Sequence, residues 1–164
     1  VKDLPEVFYL LGVSRARSGK HNEAITALRK AVELAPDNAG YLKELGSLLS
    51  SAARYEEAVA PYRKAAELDP KDFESKVGLG LVLFESGKYD EGLRFLMEAD
   101  RMKPGNEIVN MFLSVARARQ QNVPQLEQMK DYAEKNPNDL QVKMSIVQLL
   151  GYSRRIDEAE PFIE

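Results

Sequence analysis

The sequence predicts an all-α protein, a solenoid of antiparallel helix hairpins. The first sign is a period. Pro36, Pro70, Pro104 and Pro137 stand 34, 34 and 33 residues apart, and a fixed period of this length decides an architecture before any local signal does. The second is that small residues keep step with the prolines. Their columns are Gly12, Gly46 and Gly80, continued by Ser114; Ala24, Ala58 and Gly92, returning at Ala159; and Ala31, Ala65, Ala99 and Ala133. The third is punctuation that fits two short helices in every period, with helix-capping residues at its start and a proline at its end. With 44% hydrophobic and 30% charged residues in a chain of 164, there is material for a real core, and a disordered or collagen-like chain is excluded.

The units run over residues 5–38, 39–72, 73–106 and 107–139, with a partial unit at 140–164, together one repeat domain. In the first, the opening helix carries Phe8, Leu11 and Gly12 and stops at Gly19, a residue that takes positive φ at little cost. Its second helix carries Ala24, Leu28 and Ala31 and ends before Pro36, since the residue preceding proline is pushed out of the α region. The second unit opens on Asn38, whose side-chain oxygen can accept a free first-turn N–H. It continues with Leu45, Gly46, Ala58, Tyr62 and Ala65. The third opens on Asp72, with Leu79, Gly80 and Leu83, a stop at Gly87, and then Gly92, Leu96 and Ala99. Glu56-Glu57, Asp90-Glu91 and Asp157-Glu158 stand in the first turns of second helices, where negative charge suits the macrodipole. The pairs Gly12 with Ala24, Gly46 with Ala58 and Gly80 with Gly92 are the expected crossing points, because helices joined by a short turn approach closely only where side chains are tiny. The fourth unit, opening on Asn106, is one residue short. It has Leu126 and Lys130 where a small and a large apolar residue are expected, so its second helix, with Met129, Tyr132 and Ala133, is expected to cross its partner differently. The last unit opens on Asp139 and reaches Pro161-Phe162-Ile163-Glu164 with too few residues to finish its second helix.

These residues resemble the tetratricopeptide repeat. The matching positions are Leu11-Gly12, Ala24, Leu28, Ala31 and Pro36; Leu45-Gly46, Ala58, Tyr62, Ala65 and Pro70; and Leu79-Gly80, Gly92, Leu96, Ala99 and Pro104. The resemblance covers nearly the whole chain, about four and a half to five repeats. It departs from the family in lacking the tryptophan, whose place is held by Phe8, Leu42, Lys76, Asn110 and Lys143. It implies a right-handed superhelix whose concave wall is formed by the first helix of each unit.

Helical spacing then places the wall's columns. They are Tyr9, Val13, Ala16 and Arg17; Lys43, Ser47, Ser50 and Ser51; and Val77, Leu81, Phe84 and Glu85. The later units add Met111, Val115, Ala118 and Arg119, then Met144, Gln148, Gly151 and Tyr152. The third unit is the informative one, because Val77–Phe84 is apolar all round whereas a surface helix needs one apolar stripe. With Leu79 and Leu83 assigned to the hairpin core, Val77, Leu81 and Phe84 are apolar residues to spare. Together with Tyr9, Val13, Met111, Val115 and Met144 they make a semi-continuous apolar floor, the kind of patch that marks an interaction site, and methionines suit a surface that adapts to its ligand. The competing reading is that these side chains only pack on neighbouring first helices or on another copy.

The resemblance also implies a test. Members that grip the C-terminal carboxylate of heat-shock chaperones use Lys, Asn and Arg in columns that here hold Tyr9 and Val13, Lys43 and Ser47, and Val77 and Leu81, so only Lys43 is cationic. An apolar partner segment, extended or helical, fits better than a chaperone tail.

Other chemistries find little support. Lys and Arg number 23 against 26 Asp and Glu, a net charge of −3, with no basic stripe for nucleic acid. There is no cysteine and one histidine, which leaves thiolate and multi-histidine metal sites without ligands. His21, in the turn column of Tyr55 and Tyr89, reads as a packing residue. Arg154-Arg155 read as a solvated turn. No apolar run approaches a bilayer span, and the compartment is left open. The expected function is therefore non-catalytic and without cofactor: binding another protein or peptide in the groove, with a self-associating scaffold as the alternative and an RNA-binding helical repeat as a more distant one. The unfinished last unit is expected to continue in a longer protein or to be covered by a second copy.

Overall fold

The computed structural model describes residues 4–152 and 156–163, without the side chains of 118–123 and 152. Among them are eight α-helices and no strand. These are α1 (Pro5–Arg17), α2 (His21–Leu34), α3 (Ala39–Ser51), α4 (Tyr55–Leu68), α5 (Phe73–Glu85), α6 (Tyr89–Met102), α7 (Glu107–Lys135) and α8 (Leu140–Tyr152), followed by a 3₁₀ helix at Ile156–Phe162. The chain divides into two compact units, residues 1–110 and 111–164.

The first unit holds three regular hairpins, α1–α2, α3–α4 and α5–α6. Asn38 Oδ1 accepts from the Tyr41 N–H at 3.1 Å, and Asp72 Oδ2 from the Ser75 N–H at 3.2 Å, so α3 and α5 start where the sequence puts their caps. The second helices α2, α4 and α6 have no side-chain cap. In α4 and α6 the acidic pairs Glu56-Glu57 and Asp90-Glu91 lie in the first turn, where the free N–H groups favour negative charge. Each hairpin turns through a residue of positive φ: Gly19 at 73°, Ala53 at 56° and Gly87 at 81°. Alanine in this column was not anticipated, and it is held there against its own preference.

The small columns do the work expected of them. A Cβ on Gly12 would lie 2.7 Å from Leu28 Cγ, one on Gly80 2.7 Å from Leu96 Cγ, and one on Gly92 2.7 Å from the Gly80 carbonyl oxygen. At Gly46 the nearest atoms are those of the Tyr62 ring, at 2.8 Å. Around these crossings one core runs through the unit, with Leu28, Leu45, Leu49, Leu79, Val82 and Leu83 buried in it. At the outer face of α1 the core is incomplete. Phe8 is half-buried and Leu11 is exposed, although Leu11's counterparts Leu45 and Leu79 are buried, because no preceding second helix lies over α1 among the described residues.

The second unit departs from the expected pattern. Residues 107–139 were expected to form two helices, but α7 runs unbroken from Glu107 to Lys135 with Pro124 inside it. The position in register with Gly19, Ala53 and Gly87 is Gln121, so no residue suited to positive φ interrupts the helix. Ser114, in the column of Gly12, Gly46 and Gly80, is exposed where those three are buried. Leu126 instead packs with Ile146, Leu150 and Ala159 in a separate core. Leu126 and Ala133 keep the 34-residue register while Pro137 is one residue early, which places the deletion at the end of α7. The last segment closes as a short 3₁₀ helix whose Ala159 is buried.

Candidate functional site

Within the first unit, α1, α3 and α5 are joined side by side by two direct contacts. The rings of Tyr9 and Tyr41 stack with centroids 4.8 Å apart, linking α1 to α3. Lys43 Nζ lies 3.2 Å from Asp72 and 2.8 Å from Glu74, linking α3 to the start of α5. These contacts set the first helices of the three hairpins beside one another.

On this wall Tyr9, Val13, Val77 and Leu81 are half-buried, so each presents part of an apolar side chain to solvent. Arg17 and Ser47 are exposed. Phe84 is different. It is 2% exposed and meets the Tyr89 ring edge-on with centroids 5.0 Å apart. It is a packing residue between α5 and α6, and the wall loses it as a contact surface. The sequence had three spare apolar residues in α5, and the structure leaves two.

Lys43 was the one cation in the columns that capture a terminal carboxylate in relatives, and it is already occupied. The hydrogen bond it donates to Glu74 raises its pKa most, with burial opposing and Asp72 adding to the rise. Burial pushes the Asp72 carboxyl up, but its bonds to Ser75 and Lys43 outweigh that and hold it below the ordinary carboxylate value. Burial raises the pKa of the Tyr62 phenol, against a lowering by the Ser47 hydroxyl. Ser51 Oγ donates back to the Ser47 carbonyl at 2.9 Å. The middle of the wall is thus a set of internally satisfied polar groups flanked by apolar ones.

In the second unit Met111, Val115 and Met144 are exposed, at 57%, 38% and 72%. Arg119, Tyr152 and the Arg154-Arg155 pair have side chains outside the described residues. His21, expected to pack, is exposed at the start of α2. Among the described residues no group of acidic or histidine side chains could hold a metal ion, and no helix is long and apolar enough to cross a membrane.

Two features escaped the sequence reading. Tyr62 lies over Gly78 as well as Gly46, so that a Cβ on Gly78 would collide with its ring. The signal was present, since Gly78 is a second glycine in a helix that already contains Gly80. The other is a pair of equivalent ion pairs between successive second helices, Arg29 with Glu57 and Arg63 with Glu91. Glu57 and Glu91 had been read only as first-turn acids of their own helices.

A family profile described as tetratricopeptide repeat matches residues 9–73 and again 44–107. No curated protein matches the chain. Among solved structures, a MamA protein shares 18% identity over 99% of this chain and 90% of its own, with a TM-score of 0.70. The second such domain of human RPAP3, solved in complex with the HSP70 peptide SGPTIEEVD, shares 20% identity over 69% of this chain and 98% of its own, with a TM-score of 0.62. An O-GlcNAc transferase from Thermobaculum terrenum shares 28% identity over 70% of this chain but only 22% of its own, with a TM-score of 0.60.

Proposed function

The chain belongs to the tetratricopeptide repeat family, and from that premise we propose that it is a protein-interaction module without chemistry of its own. It takes a partner segment with apolar side chains on the wall of α1, α3 and α5. Tyr9, Val13, Val77 and Leu81 make the apolar contacts, with Arg17 and Ser47 at the polar margin. Solved relatives with this fold hold peptides, and the fold is generally a non-catalytic one. Met111, Val115 and Met144, exposed in the second unit, are that unit's own apolar contact surface.

The observation that carries this reading is the state of Lys43. In the columns where relatives would hold a terminal carboxylate, the one cation is bonded to Asp72 and Glu74, and its neighbours are half-exposed apolar side chains. A carboxylate entering there would have to displace two internal acids. Recognition by apolar side chains has no such competitor.

Two measurements test it. Titration with the peptide SGPTIEEVD, which the human relative binds, should give no saturable heat; saturable binding abolished by amidating its C-terminus would overturn the apolar reading. Affinity capture on wild-type protein and on Leu81→Glu should recover a partner with the first and lose it with the second, both proteins melting cooperatively. Equal recovery on both would show that the wall is not the binding surface.

A further inference from the structure

Lys43 and its two acids decide what charge a partner segment meets on the wall of the first unit. One ammonium is shared between Asp72 at 3.2 Å and Glu74 at 2.8 Å. Asp72 has further bonds. Its carboxylate also accepts from the N–H and the hydroxyl of Ser75, and its side chain is 21% exposed. Glu74 is used on one side only. Lys43 bonds its Oε2, its Oε1 is left for another donor, and its side chain is 73% exposed.

A single cation between two carboxylates leaves the junction of α3 and α5 one negative charge in excess, and Glu74 carries it to the surface. Burial does most to raise the Tyr62 phenol, and of the charges near it Glu44 and Glu74 raise it while Lys43 lowers it. Glu44 therefore adds to the same negative field. The next cation along α5, Lys76, is taken by Glu98 of α6. Val77 and Leu81 follow Glu74 at steps of three and four residues, so the carboxylate and the two apolar side chains lie on one face of α5.

We propose that the segment taken by this wall is basic as well as apolar, with a lysine or arginine that pairs with Glu74 beside the apolar residue seated on Val77 and Leu81. The proposal rests on the wall being the binding surface and names the chemistry of what it binds. Spacing follows from the two backbones. Three helical residues place Glu74 about 4.5 Å along the axis from Val77, and an extended segment advances about 3.3 Å per residue. The cation of the partner therefore stands within about three residues of its apolar anchor. Such a pair sets specificity and speeds encounter more than it adds affinity, because Glu74 stays largely in water.

A phage-displayed library of random linear peptides is the probe, selected in parallel on wild type, Glu74→Lys and Leu81→Glu. Wild type should enrich peptides that carry an apolar residue with Lys or Arg close by. Glu74→Lys should keep the apolar preference and exchange the basic one for Asp or Glu, whereas Leu81→Glu should lose the apolar preference. If Glu74→Lys disturbs cooperative melting, Glu74→Gln serves in its place and should lose the basic preference without reversing it. Apolar peptides without a basic residue, or a basic preference that survives the change at Glu74, overturn the proposal and leave the wall standing. An apolar preference that survives Leu81→Glu, or no selected peptide at all, overturns the wall and the proposal together. For one selected peptide, Glu74→Gln should weaken binding about two- to five-fold, by a factor that shrinks as salt rises. Equal affinity for both proteins at low salt overturns the pairing.

Discussion

The two units carry the same repeat and fold it differently. In the first, a residue of positive φ stops each opening helix, at Gly19, Ala53 and Gly87, and a buried glycine at 12, 46 and 80 lets the second helix close against the first. In the second, the register puts Gln121 and Ser114 at those positions, and α7 runs straight through. The charged residues that pair successive second helices also stop recurring in the sequence there. Where Arg29–Glu57 and Arg63–Glu91 are ion pairs, the next equivalent positions hold Met97 and Gln125. A hairpin of this kind needs both a stop and a crossing point. Pro124 is no substitute: it stands inside α7, where it removes one backbone hydrogen bond, and the helix continues through it to Lys135.

That contrast can be broken most severely at Leu126. In the column of Ala24, Ala58 and Gly92 it is a large side chain, 2% exposed, at the centre of the second unit's core. Leu126→Ala should destabilise that unit by about 2–5 kcal/mol, read as lost hydrogen-exchange protection in α8 with α1–α4 unchanged. Retained protection would place the second unit's core elsewhere. Next comes the crossing itself. Gly80→Leu should cost about 1–3 kcal/mol or more, because Leu96 and the α6 backbone already occupy that space. Ser114→Leu, at the same column but exposed, should stay within about 0.5 kcal/mol. Equal shifts in urea midpoint for the two would mean that α7 conceals an ordinary hairpin.

A smaller effect follows from Asp72. Its carboxyl is held below its ordinary value, so its share of the first unit's stability is present above the usual carboxylate pKa and is lost as pH falls through the lowered one. Asp72→Asn keeps a cap but removes the ion pair with Lys43. It should melt within about 1 kcal/mol of wild type at neutral pH and show a shallower loss of stability in acid; an unchanged acid slope would mean the pair contributes nothing. The smallest expected change is a gain. Ala53→Gly relieves a left-handed alanine and should raise stability by a few tenths to about 1 kcal/mol. A loss would show that the methyl group packs.

Much of the first unit was legible because its determinants are local. Caps, stops and small crossing residues act within one hairpin, and each repeats often enough to be recognised. The candidate wall was legible only as a set of columns. Helical spacing placed Val77, Leu81 and Phe84 on one helix, but the neighbouring Tyr89 ring decides that Phe84 is buried while the other two remain half-exposed. Lys43 looked like a free cation for the same reason, since its partners Asp72 and Glu74 come from the next repeat. His21, assigned to packing by analogy with Tyr55 and Tyr89, is exposed while those two are half-buried.

By itself the sequence determined the helical class, the period, the hairpin boundaries of the first unit and the absence of thiol or clustered histidine chemistry, because these depend on residue type and spacing alone. Only the tertiary structure decided that α7 is a single helix, that Leu126 belongs to a separate core, and which side chains of the wall are available to a partner. Those outcomes depend on what lies opposite a residue across a helix interface, and in a repeat protein that neighbour comes from another period of the chain.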